Sequence, residues 1–261
     1  MTAQSAPGKS TLPVNDAPYT TVLYDDPATG RRLRTRLTPE IARVPFELCR
    51  PIRNFPAYRG RRSHQGKYWF SRSQRHVGFE SRFEMTALMM LDFRGDAIAV
   101  SSNPFWLLWP KGVAPMRHAP DFFIRRCDGS AQVIDVKPAD RLKDKDRLQH
   151  DRTREVCNEL GWEYEEFTSI DATIERNLRL LCGYHHQRFE PPAEARTAIV
   201  RCLQKSGNGG TRLGDLIDAA SSECIHLGED RLICGIYHLV WSGAMHADLT
   251  RPLSWNTVIA A

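Results

Sequence analysis

The sequence predicts a mixed α/β domain followed by a smaller domain of short helices. Three observations carry this. From Glu80 to Cys182, segments with helical spacing alternate with short apolar runs of strand length. Within that stretch a strand, a long charged helix and a further strand follow one another, the order of a crossover in a sheet with mixed pairing. After the linker-like run Arg188-Phe189-Glu190-Pro191-Pro192-Ala193-Glu194 the alternation stops, and three short helical patterns and a terminal hairpin pattern take its place. The expected boundaries are 1–18 without fixed structure, 19–187 for the α/β domain and 188–261 for the second domain.

Each element follows from its residues. Residues 1–18 are rich in Ser, Pro, Ala, Thr and Gly, a composition that buries too little apolar surface to order. Thr20–Tyr24 and Arg31–Leu37 read as strands joined by the turn Asp26-Pro27-Ala28-Thr29-Gly30. Pro51, Pro56 and Gly60 make 48–79 mostly loop, with a short strand at Tyr68-Trp69-Phe70. Good helix formers fill Glu80–Phe93, and Glu84, Leu88 and Leu91 share one face. Ala97–Val100 and Phe105–Trp109 are strands parted by Asn103-Pro104, and Pro110–Pro115 is a turn. Arg117–Arg126 reads as one strand carrying Pro120-Asp121-Phe122, and Asp128-Gly129 turns it into a partner strand, Gln132–Lys137. Ala139–Leu160 is a charged helix stopped by Gly161, followed by the strand Trp162–Phe167 and the helix Asp171–Cys182. The second domain holds helices at Glu194–Gln204, Thr211–Ala220 (Thr211 as its cap) and Glu229–Ser242. A hairpin of Ala244–Asp248 with Ser254–Ile259 completes a pattern that resembles a winged helix.

Composition narrows the classes. With 261 residues, 41% of them hydrophobic, the chain can bury a core without covalent staples. Its seven cysteines are odd in number and none is spaced C-x-x-C, which argues against a disulfide framework and a zinc ribbon. Cys182, His185 and His186 stand close together, but no second ligand pair completes a site, so they read as a helix end. No apolar run approaches the roughly 18 residues of a membrane span, and no signal-peptide stretch opens the chain. A cytoplasmic protein without a membrane partner is expected. Charge is unevenly placed: from Leu48 to Phe79 there is no acid, whereas Arg50, Arg53, Arg59, Arg61, Arg62, Lys67, Arg72 and Arg75 all fall there. That local excess is larger than the net charge of the whole chain, +5. Phe55, Tyr58, Tyr68, Trp69 and Phe70 are interleaved with it, a mixture suited to phosphates and bases. Arg59, Arg61, Arg62, Lys67, Arg72 and Arg75 are the expected DNA contacts; the bland alternative is a solvated basic face over core aromatics.

The chemistry-bearing pattern is Glu84, then Pro120-Asp121, then Asp135-Val136-Lys137. An aspartate in a strand is poorly explained by strand propensity. Asp135 and Lys137 share one face of their strand with Val133, while Ile134 and Val136 face the packing layer. Taken alone this is an ordinary solvent face. The turn at Asp128-Gly129, however, pairs the two strands and brings Asp121 beside Asp135, with Glu84 supplied from the flanking helix. Converging carboxylates bind a hard cation or shift their pKa values, and a nearby lysine can position water or neutralise a phosphoryl transition state. Glu80, one helical turn before Glu84, is the competing helix carboxylate. His118, near Asp121, is expected to orient or to lie on the surface rather than to ligate.

At these residues the chain resembles the PD-(D/E)xK nuclease superfamily. In the wider context of Ser81–Glu84, Leu88–Phe93, Asn103-Pro104-Phe105, His118–Phe122 and Val133–Ala139 it is similar to the TnsA family of transposase endonuclease subunits. The similarity covers about 65–170. It implies a restriction-endonuclease-like mixed sheet flanked by helices, with Glu84, Asp121, Asp135 and Lys137 catalytic. Glu84, Asp121, Asp135 and the Val136 carbonyl would hold Mg²⁺, with Mn²⁺ able to substitute. It implies cutting of the 5′ strands of double-stranded DNA at transposon ends, beside a TnsB-like DDE transposase and a TnsC-like ATPase that meets the C-terminal domain. Some members carry Gln where this chain has Asp135. A restriction or repair nuclease acting alone, and a non-catalytic DNA-binding scaffold, are the rival expectations.

Overall fold

The structure, a computed structural model, describes residues 17–53, 64–110, 117–205 and 209–261. The expected disordered segment 1–18 lies outside these except at its end, where Ala17–Tyr19 forms a 3-10 turn with Ala17 buried.

The strands form two four-stranded sheets, one three-stranded sheet and a hairpin. β1 (Thr21–Asp25) and β2 (Arg32–Arg36) pair antiparallel, as their turn chemistry predicts, and β1 also pairs β6 (Phe105–Leu108), which pairs the short β7 (Arg117–His118). The second sheet has the order β10-β9-β8-β5: β5 (Ala97–Ser102) and β8 (Phe122–Arg126) are antiparallel, as are β8 and β9 (Ala131–Val136). β9 and β10 (Glu163–Phe167) are parallel, joined through α2 (Asp144–Leu160). A mixed α/β architecture results.

Several expectations need correction. Arg117–Arg126 is not one strand. Pro120 cannot donate to a ladder, and the chain breaks there, leaving β7 in the first sheet and starting β8 in the second. The basic segment contains a full hairpin, β3 (Gly66–Phe70) with β4 (Arg75–Phe79), where only the first strand was expected. Gly66 is required in it, because a Cβ there would lie 2.5 Å from the Phe79 ring. The third is Thr211. It forms β11 (Thr211–Arg212) against β13 (Val258–Ala260), and the cap position falls one residue later, on Arg212, with the helix beginning at Leu213.

β9 is buried along its whole length, so its second face is not solvated. Ile134 and Val136 point into one core with Phe122, Ile124, Leu88 and Leu91, the last two from α1 (Arg82–Arg94). Ala131 and Val133 point into another with Phe123, Phe46, Phe105 and Val156. The period-two pattern of Phe122-Phe123-Ile124 is therefore split between two cores, one on each face of the sheet.

Beyond α3 (Ala172–Cys182) come α4 (Ala193–Lys205), α5 (Leu213–Glu223), α6 (Glu229–Trp241) and the strand β12 (His246–Ala247), which pairs β13. The first core continues across the 188–194 run into Ile199, Leu216, Ile236 and Trp241. Asn177 on α3 donates to the carbonyls of Leu249 and Arg251, at 2.9 and 2.7 Å, and ties the two parts together. Among the described residues no helix is long and apolar enough to cross a membrane.

Candidate active site

Continuing by one residue the register that sets Phe122 opposite Ile134 puts Asp121 opposite Asp135. The two are joined through backbone: Asp121 N–H donates to Asp135 Oδ1 at 3.3 Å, and Val136 N–H donates to Asp121 Oδ2 at 2.8 Å. The break that frees Asp121 is held by Asn103. Its N–H donates to the Asp121 carbonyl at 2.9 Å, and its side-chain amide donates to the Pro120 carbonyl at 3.0 Å. Asn103 adopts a left-handed φ of 43°, which asparagine tolerates better than most residues.

Glu84 comes from the first turn of α1. Ser81 caps that helix, accepting from Glu84 N–H at 3.1 Å, and its hydroxyl donates back to Glu84 Oε1 at 3.0 Å. Glu80 N–H donates to Glu84 Oε2 at 2.6 Å. Glu84, Asp121, Asp135, Val136 and Lys137 all line one cavity of about 350 Å³. Glu80 does not line it and instead pairs with Arg53.

Lys137, one residue past β9, pairs with Asp146 of α2 at 3.2 Å rather than with either aspartate. His118 orients, as expected: its Nε2 lies 2.9 Å from both Asp135 oxygens and its Nδ1 2.7 Å from the Gln149 side-chain nitrogen. Tyr164 OH donates to Asp135 Oδ2 at 2.8 Å. Burial pushes the Asp135 carboxyl up, but His118, His150 and the Tyr164 hydroxyl outweigh it and hold the group below the usual range. Asp121 behaves oppositely. Burial, then the charges of Asp135 and Glu84, raise it well above the usual range, against the Val136 N–H and Arg53. Glu84 is also raised, chiefly by burial.

Sequence reasoning missed Arg117, Trp106, Asp146, Gln149 and His150, which complete the lining, and Tyr164 behind it. Asp146, Gln149 and His150 stand at i, i+3 and i+4 of a helix that follows the Asp-x-Lys strand, a spacing that could have flagged a shared face. Of the expected DNA contacts, Arg59, Arg61 and Arg62 lie outside the described residues. Lys67, Arg72 and Arg75 are exposed on the β3–β4 hairpin and do not line this cavity.

Among the described residues no three His, Cys, Asp or Glu side chains stand together as a preformed metal cluster. Asp135 and Glu84 are turned to protein donors, whereas Asp121 Oδ1 accepts no hydrogen bond among the described residues. The arrangement is three acids at one cavity, Asp135 buried and Asp121 and Glu84 half-buried, with a raised central carboxyl and one lysine and two arginines beside them. No model of a known protein family matches the chain, and no curated protein matches it at a significant level.

Proposed function

We propose that the chain is a metal-dependent DNA endonuclease that cuts the 5′ strands at transposon ends as the TnsA-like member of a heteromeric transposase. The observation that carries the reading is the convergence of Glu84, Asp121 and Asp135, from one helix and two strands, on a cavity shared with Lys137. The order β10-β9-β8-β5 with α2 as crossover supports a restriction-endonuclease-like sheet. The order α4, β11, α5, α6, β12, β13 supports a winged-helix-like unit in 188–261, the part that would meet a TnsC-like ATPase.

The donor set fits Mg²⁺ or Mn²⁺: oxygen ligands only, mutually repelling, with Asp121 Oδ1 uncommitted. Glu84, Asp121, Asp135 and the Val136 carbonyl would hold the ion, which supplies Lewis-acid stabilisation of charge on the phosphoryl group. Lys137, released from Asp146, positions the attacking water for in-line displacement, leaving a 3′-hydroxyl and a 5′-phosphate. Arg53 and Arg117 hold strand phosphates at the cavity, while Lys67, Arg72 and Arg75 grip the duplex farther out.

The test is strand-specific cleavage of a labelled transposon-end duplex in Mg²⁺, with the TnsB-like partner present and Asp121→Ala as control. Partner-dependent nicking of the 5′ strand, lost in the variant, supports the proposal. Cutting of bare DNA with no partner moves the reading to a stand-alone restriction or repair nuclease. A non-catalytic scaffold is favoured by one observation, that both Asp135 oxygens are already taken by His118 and Tyr164. It predicts DNA binding in chelator and no cutting, although the partner still cuts its own strand.

A further inference from the structure

A second cavity, of about 440 Å³, opens at the other end of α1, between the β3–β4 hairpin and the C-terminal helices. Glu84 lines the first cavity and Asp92 the second; eight helical residues separate them, about 12 Å along the axis. The second cavity is rich in donors. Arg72 is exposed, has no carboxylate partner among the described residues, and lies against the last turn of α1, where a Cβ on Gly95 would come within 2.6 Å of its Nη2. His186 Nδ1 accepts from Arg188 N–H at 3.1 Å, which leaves its Nε2–H free to donate. Trp241 is buried, and its indole N–H has no acceptor among the described residues.

The cavity wall also carries an aromatic row. Trp69, half-buried on the hairpin, stacks with His186 at a centroid distance of 5.9 Å and an interplanar angle of 20°, and meets His76 in a T-shaped contact at 5.1 Å, so a ligand ring would extend this row. Gln74, in the hairpin turn, is held at a φ of 51°, a left-handed conformation that glutamine rarely adopts and that recurs at ligand clamps. The one carboxylate in the lining, Asp92, is spent internally: it accepts from Tyr68 OH at 3.0 Å, Ser71 Oγ at 2.6 Å and Ser71 N–H at 3.1 Å. One buried donor without an acceptor, an exposed arginine without a carboxylate and an aromatic row call for an anion joined to a flat ring.

We infer that this cavity binds a single nucleotide, its phosphate on Arg72 and His186 and its base against Trp69, taken either free or as an unstacked residue of a DNA strand. The inference shares Arg72 with the proposed duplex grip, but it uses neither the acid cluster nor cleavage. The test is calorimetric titration in chelator with dAMP, deoxyadenosine and inorganic phosphate. A short single strand carrying one 2-aminopurine, followed by its fluorescence, forms the parallel arm. Saturable binding of dAMP assigns the free nucleotide; 2-aminopurine quenching without dAMP binding assigns a strand nucleotide. In either case Arg72→Ala and His186→Ala should each weaken binding about tenfold, the effect of one charge-assisted hydrogen bond. Both residues are exposed, so neither variant touches the core. The inference is overturned by the absence of binding in both arms, by phosphate binding as tightly as dAMP, or by folded variants that bind as the parent does.

Discussion

His118→Ala should be among the most destabilising single substitutions near the acid cavity, and the reason lies in Asp135. That carboxylate is 1% exposed. Its partners are His118 Nε2 at 2.9 Å, Tyr164 OH at 2.8 Å and the more distant Asp121 N–H at 3.3 Å. Removing His118 leaves the charge buried with one hydroxyl and one weak amide contact. Leaving a buried acceptor without its donor costs about 1–3 kcal/mol, more where the acceptor is charged, a large fraction of the roughly 5–15 kcal/mol that stabilises a domain. Urea unfolding at pH 7 with an unchanged slope measures it. The decisive variant is the double one, His118→Ala with Asp135→Asn. A neutral amide no longer carries an uncompensated charge, so the double variant should recover about 1–3 kcal/mol relative to His118→Ala alone. A cost below about 1 kcal/mol for the single variant, or a double variant no more stable than it, would refute the buried-charge argument.

Other expectations follow from the same cavity. Asp121 has a folded pKa raised above its unfolded value, so the folded state holds the extra proton. Stability in chelator therefore falls as pH rises from the unfolded carboxyl range through the folded pKa. Asp121→Asn removes that loss, so its advantage over the parent should grow across this window in thermal melts; an advantage that shrinks with pH would contradict the assignment. Mg²⁺ should raise the melting temperature of the parent and leave that of Asp121→Asn unmoved, as binding to the folded state alone requires. Lys137→Ala should lower the rate of 5′-strand cutting by roughly 10²–10⁴-fold with near-UV circular dichroism unchanged, because the lysine is partly exposed and only pairs with Asp146. Asn103→Ala should cost about 1–3 kcal/mol and reduce cutting as well, since it loses the amide contact to the Pro120 carbonyl; normal cutting by that variant would show that Asp121 needs no such support.

The sequence was most legible where local chemistry and tertiary structure agree. The turn at Asp128-Gly129 announced the β8–β9 pairing, and that pairing placed Asp121 beside Asp135. α1 was legible from its residues, and Ser81 caps it just before Glu84. What stayed hidden depended on what covers each face. The alternation in β9 was read as one packed and one open face, but the first sheet and α2 cover the second face, as the core that Val133 shares with Phe105 and Val156 shows. Thr211 has good capping chemistry, yet pairing with Ile259 takes it into a strand, a tertiary demand that no local signal carries. The second cavity lay beyond reach for a similar reason. Its walls come from Trp69, Asp92 and Trp241, far apart in the chain, and only the packing of the C-terminal helices on the hairpin joins them.

The two aspartates of the acid cavity are not equivalent, and the difference bears on which of them a cation would need. Asp135 is already served by an imidazole and a phenol, so a cation must compete with both for its oxygens. Asp121 has one oxygen on the Val136 amide and the other uncommitted, and it carries the repulsion of two neighbouring acids. A divalent ion therefore gains most at Asp121, where it replaces a proton and relieves repulsion, and least at Asp135. On the endonuclease reading Asp121 is the primary ligand, and Asp135 acts chiefly by holding the Asp121 backbone amide and the His118 ring in place.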